Sequence, residues 1–133
     1  MDRNGVKMEL DSYFENVKGV GILATSDEKG KADAAIYARP YVIDEKIIAL
    51  SMMEHRSYSN VMANPYACFL FMEKGEGFKG YRFYLKQKGE ETDEDNIKML
   101  KKTHNIMDMP GNEKRHLVYF MIKEIRPLIG DEE

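Results

Sequence analysis

The sequence lacks the features that mark several large classes of protein. Cys68 is its only cysteine, so no intrachain disulfide can form, and this usage suits a reducing compartment. The first residues, MDRNGVKMELD, contain no apolar stretch of the kind found in secretory signals, and no apolar run is long enough to cross a bilayer. We therefore expect a cytoplasmic protein with no membrane partner.

The chain also has no excess of basic residues. Its 20 Lys and Arg residues are outnumbered by 23 Asp and Glu residues, which gives a net charge of −3. Nucleic-acid-binding domains usually show the opposite balance, so nucleic acid is not an expected partner. The three His residues and Cys68 show no close ligand spacing, and no glycine-rich P-loop is present. The sequence therefore predicts neither a metal site nor a P-loop nucleotide site.

What the sequence does contain is enough apolar material for one core. Hydrophobic residues make up 43% of the 133 residues, and charged residues make up 32%. No linker, repeat or low-complexity tract divides the chain, so residues 1–133 are predicted to form a single domain.

The spacing of apolar residues predicts a mainly β domain with flanking helices. Helices are predicted over 7–17, 55–63 and 94–104, the second ending before Pro65. Pro40 requires a bulge or an edge position in its strand, because proline has no N–H group to donate. Six short strands with helices outside them indicate a small antiparallel barrel. The predicted strands are residues 20–26, 32–43, 46–52, 66–72, 81–89 and 116–125.

The most informative segment, residues 37–72, contains a candidate phosphate site. Arg39 lies on a predicted strand, Ser51 ends the next strand, and His55, Arg56 and Ser57 stand where the short helix begins. A helix start offers unpaired backbone N–H groups and the positive end of the peptide dipole, so two arginines and a hydroxyl beside it favour phosphate. The alternative is that both arginines are ordinary surface residues and that His55 only caps the helix.

The same segment resembles a known family. ARPYVI, a strand ending at Ser51 and then HRSYSNVMANPYACFLF resemble the flavin-binding core of the pyridoxamine 5'-phosphate oxidase-like family, the FMN-binding split barrels. The resemblance covers nearly the whole chain in element order. EKGEGFKGYRFYL and residues 127–130 resemble a small, mostly uncharacterised branch of that family. It implies a six-stranded antiparallel split β-barrel that binds FMN between the two protomers of a homodimer.

The resemblance also implies the residues of the cofactor site. The strand containing Arg39 would run along the flavin ring, and a strand from the second protomer would complete the site. His55 and its two successors match the phosphate loop, although many members have Lys where this chain has Ser57. The implied cofactor-binding residues are Arg39, Pro40, Tyr41, Val42, Ser51, Met52, His55, Arg56, Ser57 and Tyr81.

Three functions agree with this set of residues. The first is an FMN-dependent oxidoreductase that acts on a small molecule, with NAD(P)H as a candidate electron donor. The second is a flavin- or small-ligand-binding carrier or sensor without turnover, and the third is a degenerate split barrel with a structural role. Related barrels also bind other flavin-like cofactors or haem. The sequence identifies no catalytic acid or base.

The remaining chemistry-bearing residues have simpler interpretations. His104 lies on the apolar face of a predicted helix, where a packed histidine is the commoner outcome. His116 is interpreted as the first residue of a strand, and Cys68 as a small buried apolar residue.

Overall fold

The computed structural model describes residues 9–103 and 115–130, with residues 101–103 described as backbone only. None of the helices in these ranges is long and apolar enough to cross a membrane. The elements, in chain order, are α1 (Leu10–Asn16), β1 (Gly19–Ser26), β2 (Ala32–Tyr37), β3 (Tyr41–Val42), β4 (Ile47–Met53), α2 (Arg56–Ala63), β5 (Tyr66–Glu73), β6 (Gly80–Glu91), α3 (Glu94–Thr103) and β7 (Arg115–Pro127).

The helices follow their local sequence signals. The α2 helix ends at Ala63, and its C-cap residue Asn64 has the extended backbone that is favoured before Pro65. The α1 helix is shorter than the predicted 7–17, of which residues 7 and 8 lie outside the described ranges. The α3 helix begins where predicted, and His104, the last residue of the prediction, also lies outside those ranges.

All seven strands of the described residues belong to one antiparallel sheet in the order β2-β1-β5-β6-β7-β4-β3. The mainly β architecture with flanking helices is therefore confirmed. The predicted number of six strands is wrong, because the segment predicted as one strand over 32–43 is two. Pro40 cannot donate to a ladder, so the strand stops at Tyr37 and a new one starts at Tyr41.

The division at Pro40 also gives the sheet its curvature. The two strands on either side of Pro40, β2 and β3, are the opposite edges of the sheet. A flat sheet of this size would hold them about 29 Å apart, at about 4.8 Å per strand. The link from Tyr37 to Tyr41 can span only about 14 Å. The sheet must therefore curl until its edges approach, but the described residues show no ladder between β2 and β3, so the barrel is open rather than closed.

Alternation along the strands gives the sheet two different faces. The inner face carries the main core, which includes Phe69, Phe83 and Phe120 and is packed by Phe14 of α1 and Val61 of α2. A second, smaller cluster, which we call the outer cluster, lies on the outer face of the sheet at its β4–β3 edge. It consists of Tyr41, Ala49 and Leu117, with Tyr119 and with Ile97 and Leu100 of α3 packed against it.

Candidate functional site

The start of α2 is the centre of the candidate site. His55 occupies the N-cap position with an extended backbone, and its side chain makes no capping hydrogen bond. The first turn contains no acidic residue, and the Arg56 side chain is exposed. The backbone N–H groups of a first turn have no partner within their helix, so this end of α2 can accept an anion.

Ser57 connects this helix start to the far edge of the sheet. Its side chain is buried, and its hydroxyl forms a hydrogen bond with the hydroxyl of Tyr37, the last residue of β2. Burial raises the pKa of Tyr37, although the bond with Ser57 and the nearby charge of Arg115 oppose that rise. The contact shows that the curled sheet brings the end of β2 to the start of α2.

Arg115 is a further cation at this place that the sequence did not reveal. It begins β7 and pairs with Met53, the last residue of β4. The pairing places Arg115 beside Met53, which stands two residues before the N-cap of α2. The charge of Arg115 also acts on Tyr37. The side chain is half-buried. No local pattern marks Arg115, because its position depends on the register between β4 and β7.

Arg39 contacts the end of α1. Its Nη1 donates to the Phe14 carbonyl oxygen at 2.7 Å and reaches the Glu15 carbonyl oxygen at 3.4 Å. Carbonyl groups at the end of a helix have no partner within the helix, so a cation there is favourable. A guanidinium has five N–H donors, so this contact leaves donors for another acceptor. The assignment of Arg39 to a phosphate contact stays a prediction.

The predicted ring-contact residues occupy different environments. The side chains of Pro40 and Tyr41 are buried, Tyr41 in the outer cluster, and Val42 is half-buried beside the main core. Met52 is completely buried in the main core, so its side chain is not at the surface. Ser51 is half-buried and, by alternation, lies on the same face of β4 as Met53. Their contacts with a flavin ring stay predictions.

Tyr81 is not brought to the start of α2 within one protomer. It lies at the beginning of β6, opposite Phe71 and Pro127, and its ring contacts the ring of Tyr13 at 5.5 Å. The residues near α2, in contrast, lie beside the other end of β6, where Tyr58 bonds to Glu90. Only a second protomer could place Tyr81 at this site, as the resemblance implies.

A histidine held by two carboxylates lies beside α2. The Nε2 atom of His116 is 2.7 Å from Oε1 of Glu54, and its Nδ1 atom bonds to Oε2 of Glu90. Tyr58 stacks on the imidazole with ring centroids 4.1 Å apart, and its hydroxyl donates to Oε1 of Glu90 at 2.6 Å. His116 is buried, so it is more than the first residue of a strand.

This histidine cluster shifts two pKa values. Burial lowers the pKa of His116, but the bonds with Glu90 and Glu54 outweigh burial, so the pKa lies above its ordinary value. The bond to Glu90, together with burial, raises the pKa of Tyr58 to about 12. No group of three or more His, Cys, Asp or Glu residues in the described ranges is arranged to hold a metal ion.

Comparisons with known proteins identify the fold. The chain matches no family model and no curated protein. An FMN-binding protein from Syntrophomonas wolfei has a TM-score of 0.72 and 16% sequence identity, and the match covers 90% of this chain and 84% of that one. A protein from Lactobacillus delbrueckii, proposed to be a pyridoxamine 5'-phosphate oxidase, has a TM-score of 0.67 and 17% identity, and the match covers 94% and 96%. The fold is that of the FMN-binding split barrels.

Proteins named for different ligands share this split barrel. HutZ, the heme storage protein from Vibrio cholerae, has a TM-score of 0.60 and 11% identity over 89% of this chain and 91% of that one. The TM-scores establish the split barrel. Because the sequence identities are low, the ligand has to be argued from the residues of this chain.

Proposed function

We propose that the chain is a flavoprotein that binds FMN with its phosphate at the start of α2, and that it is an FMN-dependent oxidoreductase acting on a small molecule. The observation that carries the proposal is the helix start itself. An exposed Arg56, a first turn without acidic residues and the nearby Arg115 converge where backbone N–H groups have no helical partner.

The charges and donors at this place fit a phosphate. Hydrogen bonds between ionised groups are about twice as strong as those between neutral groups, and the arginine fork matches phosphate oxygens. The hydroxyl of Ser57 is buried and bonded to Tyr37, so we assign the main attraction to the two arginines and the backbone N–H groups. Glu54 lies just before the N-cap and opposes an anion, but it is paired with His116.

When bound, FMN would supply the electron-transfer chemistry, and the protein would supply position and electrostatics. The backbone N–H of Tyr41 or Val42 is the candidate donor to the polar edge of the ring, since Pro40 has no N–H group. A hydrogen bond from the protein at that edge would favour a reduced, negatively charged ring. His116 is not proposed as an acid or base, because both of its ring nitrogens are bonded to carboxylates.

The phosphate site is tested by flavin titration of Arg56→Ala. We expect the dissociation constant for FMN to rise about tenfold or more, as for loss of a hydrogen bond to a charged group. Riboflavin, which has no phosphate, should bind the wild type more weakly and respond little to the substitution. Lys74→Ala is the matched control, since Lys74 is also exposed but follows β5, beside the turn that leads to β6. Equal FMN affinities for Arg56→Ala and the wild type would remove Arg56 from the site.

The oxidoreductase part of the proposal is tested separately. FMN-loaded protein is mixed anaerobically with NADH and with NADPH, and the flavin absorbance is followed. We expect slow bleaching with at least one of the two donors. Bleaching by dithionite alone would favour the second function, a carrier or sensor that binds flavin without turnover. A purified protein that binds no flavin would instead favour the structural role.

A further inference from the structure

His116 connects three separate elements through charged hydrogen bonds. Its side chain, which is 8% exposed, extends from β7 to Glu54 in the turn before α2 and to Glu90 near the end of β6. Tyr58 of α2 covers one face of the ring. Within residues 9–103 and 115–130, these are the charged or titratable groups in contact with the ring. Arg115 precedes it on β7, with its side chain on the opposite face of the strand.

The geometry indicates that the ring carries a positive charge. An ionised carboxylate can only accept hydrogen bonds, so an imidazole between two carboxylates must donate from both nitrogens. Donation from both nitrogens requires the doubly protonated form. Stacking on the Tyr58 ring also favours a cation. The Tyr58 hydroxyl holds the second oxygen of Glu90, which fixes that carboxylate in place.

The cluster is continuous with the anion site. Glu54 immediately precedes the N-cap residue His55, and Tyr58 lies in the first turn of α2. With His116 protonated, the two carboxylates and the imidazolium together carry one negative charge. Loss of that proton leaves two negative charges beside the anion site and removes one of the two N–H groups by which the ring holds Glu54 and Glu90.

We propose that His116 is a positioning residue for the phosphate site: its protonated ring holds Glu54 against β7, fixes the turn that begins α2, and makes binding of a phosphorylated flavin weaken as the pH rises. This inference rests on the proposed function, since it assumes that the phosphate binds at the start of α2.

The direction of the pH dependence follows from the charges. Burial lowers the pKa of His116, but the bonds with Glu90 and Glu54 raise it above its ordinary value, so the ring keeps its proton to a higher pH than a free imidazole and becomes neutral as the pH rises further. The phosphate of FMN has a second pKa of about 6, so its own charge is almost constant above pH 7. Tyr58, with a pKa of about 12, does not titrate in this range. A change in affinity between pH 7 and pH 9 would therefore report on the histidine.

The experiment has two readouts. NMR of the ring nitrogens in the flavin-free protein measures the protonation of His116 without any ligand. Fluorescence titration with FMN from pH 7 to pH 9 measures the affinity, and we expect the dissociation constant to rise by at least about fivefold, the lower end of typical coupling between sites.

Three variants assign the effect. His116→Gln should remove the pH dependence. Glu54→Gln should shift the midpoint of the dependence to lower pH, because one of the two carboxylates that retain the proton is lost. This second variant alters an exposed side chain, so it tests the proposal even if His116→Gln does not fold. His55→Asn, which retains a favourable N-cap, should keep the pH dependence even if its affinity differs.

The outcomes separate this inference from the proposed function. A neutral His116 ring at pH 6.5, or FMN affinity that stays constant from pH 7 to pH 9, would overturn the positioning role while flavin binding stands. Absence of FMN binding at every pH would overturn the proposed function, and this inference with it. A pH dependence that persists unchanged in His116→Gln would assign it to another group.

Discussion

Gly80 is a residue whose identity the fold requires. It begins β6 with φ of +149°, and a Cβ atom there would lie 1.9 Å from the carbonyl oxygen of Phe71 on β5. That atom belongs to the backbone of the neighbouring strand, so a flexible side chain cannot move aside to make room. Gly89, on the same strand, has φ of +139° but no atom within 4 Å of its Cβ position. The two glycines share an unusual backbone and differ in the space around them.

This pair gives a prediction at the scale of one residue. Gly89→Ala should cost only the strain of its backbone conformation, about 1–3 kcal/mol. Gly80→Ala should cost more than about 4 kcal/mol, because β5 and β6 must also move apart. Urea unfolding of the two variants and the wild type measures both values. Equal losses of unfolding free energy would show that backbone strain, and not the contact with Phe71, decides the requirement for glycine.

Single residues also show where a sequence stops being informative. The limits of α2 were predictable because its stop, Asn64-Pro65, is a neighbour in the chain. The partners of His116 are 26 and 62 residues away, so nothing near it in sequence distinguishes it from an ordinary residue at the start of a strand. Arg115 was missed for the same reason, since the β4–β7 register brings it to the site.

At the scale of elements, type was easier to predict than pairing. Alternating and helical spacing located the helices and strands of the described ranges approximately, apart from β2 and β3, which were predicted as one strand, because these patterns are local. The segment over 32–43 shows the limit. Its residues suit an extended chain throughout, but residues before Pro40 pair with β1 and residues after it pair with β4. Choosing between partners depends on closure of the whole sheet, and six strands were predicted where seven form.

The β2–β3 link and α2 together explain why the candidate site lies where it does. The curled sheet brings Tyr37, at the end of one edge strand, to Ser57 in the first turn of α2. Arg39, two residues later, holds the end of α1 through the Phe14 carbonyl. The site is thus built at the opening between the two edges, where helix ends rather than strand ladders supply the polar groups.

At the scale of the whole molecule, one outer surface of the sheet is apolar and uncovered by the described helices. Val20 lies opposite Met72, and Ile22 lies opposite both Ile36 and Leu70. Ile36 is 77% exposed, Val20 43% and Met72 37%. We call these five residues the outer stripe. Contiguous apolar side chains on a soluble domain mark an interaction surface, and self-association across a two-fold axis is the commonest way to cover one.

The outer stripe leads to the prediction of a homodimer. The wild type should be a dimer by light scattering at micromolar concentration. Ile36→Glu should dissociate it, because association would bury the new carboxylate without a partner. Met99→Glu is the matched control: Met99 is 64% exposed but lies on α3, which packs at the β4–β3 edge of the sheet, far in the strand order from the stripe on β2, β1 and β5. If Tyr81 of the partner subunit completes the flavin site, dissociation should also weaken FMN binding in Ile36→Glu and leave it intact in Met99→Glu. A monomeric wild type would refute the dimer, and a monomeric Ile36→Glu with unchanged FMN affinity would show that one protomer holds the whole site.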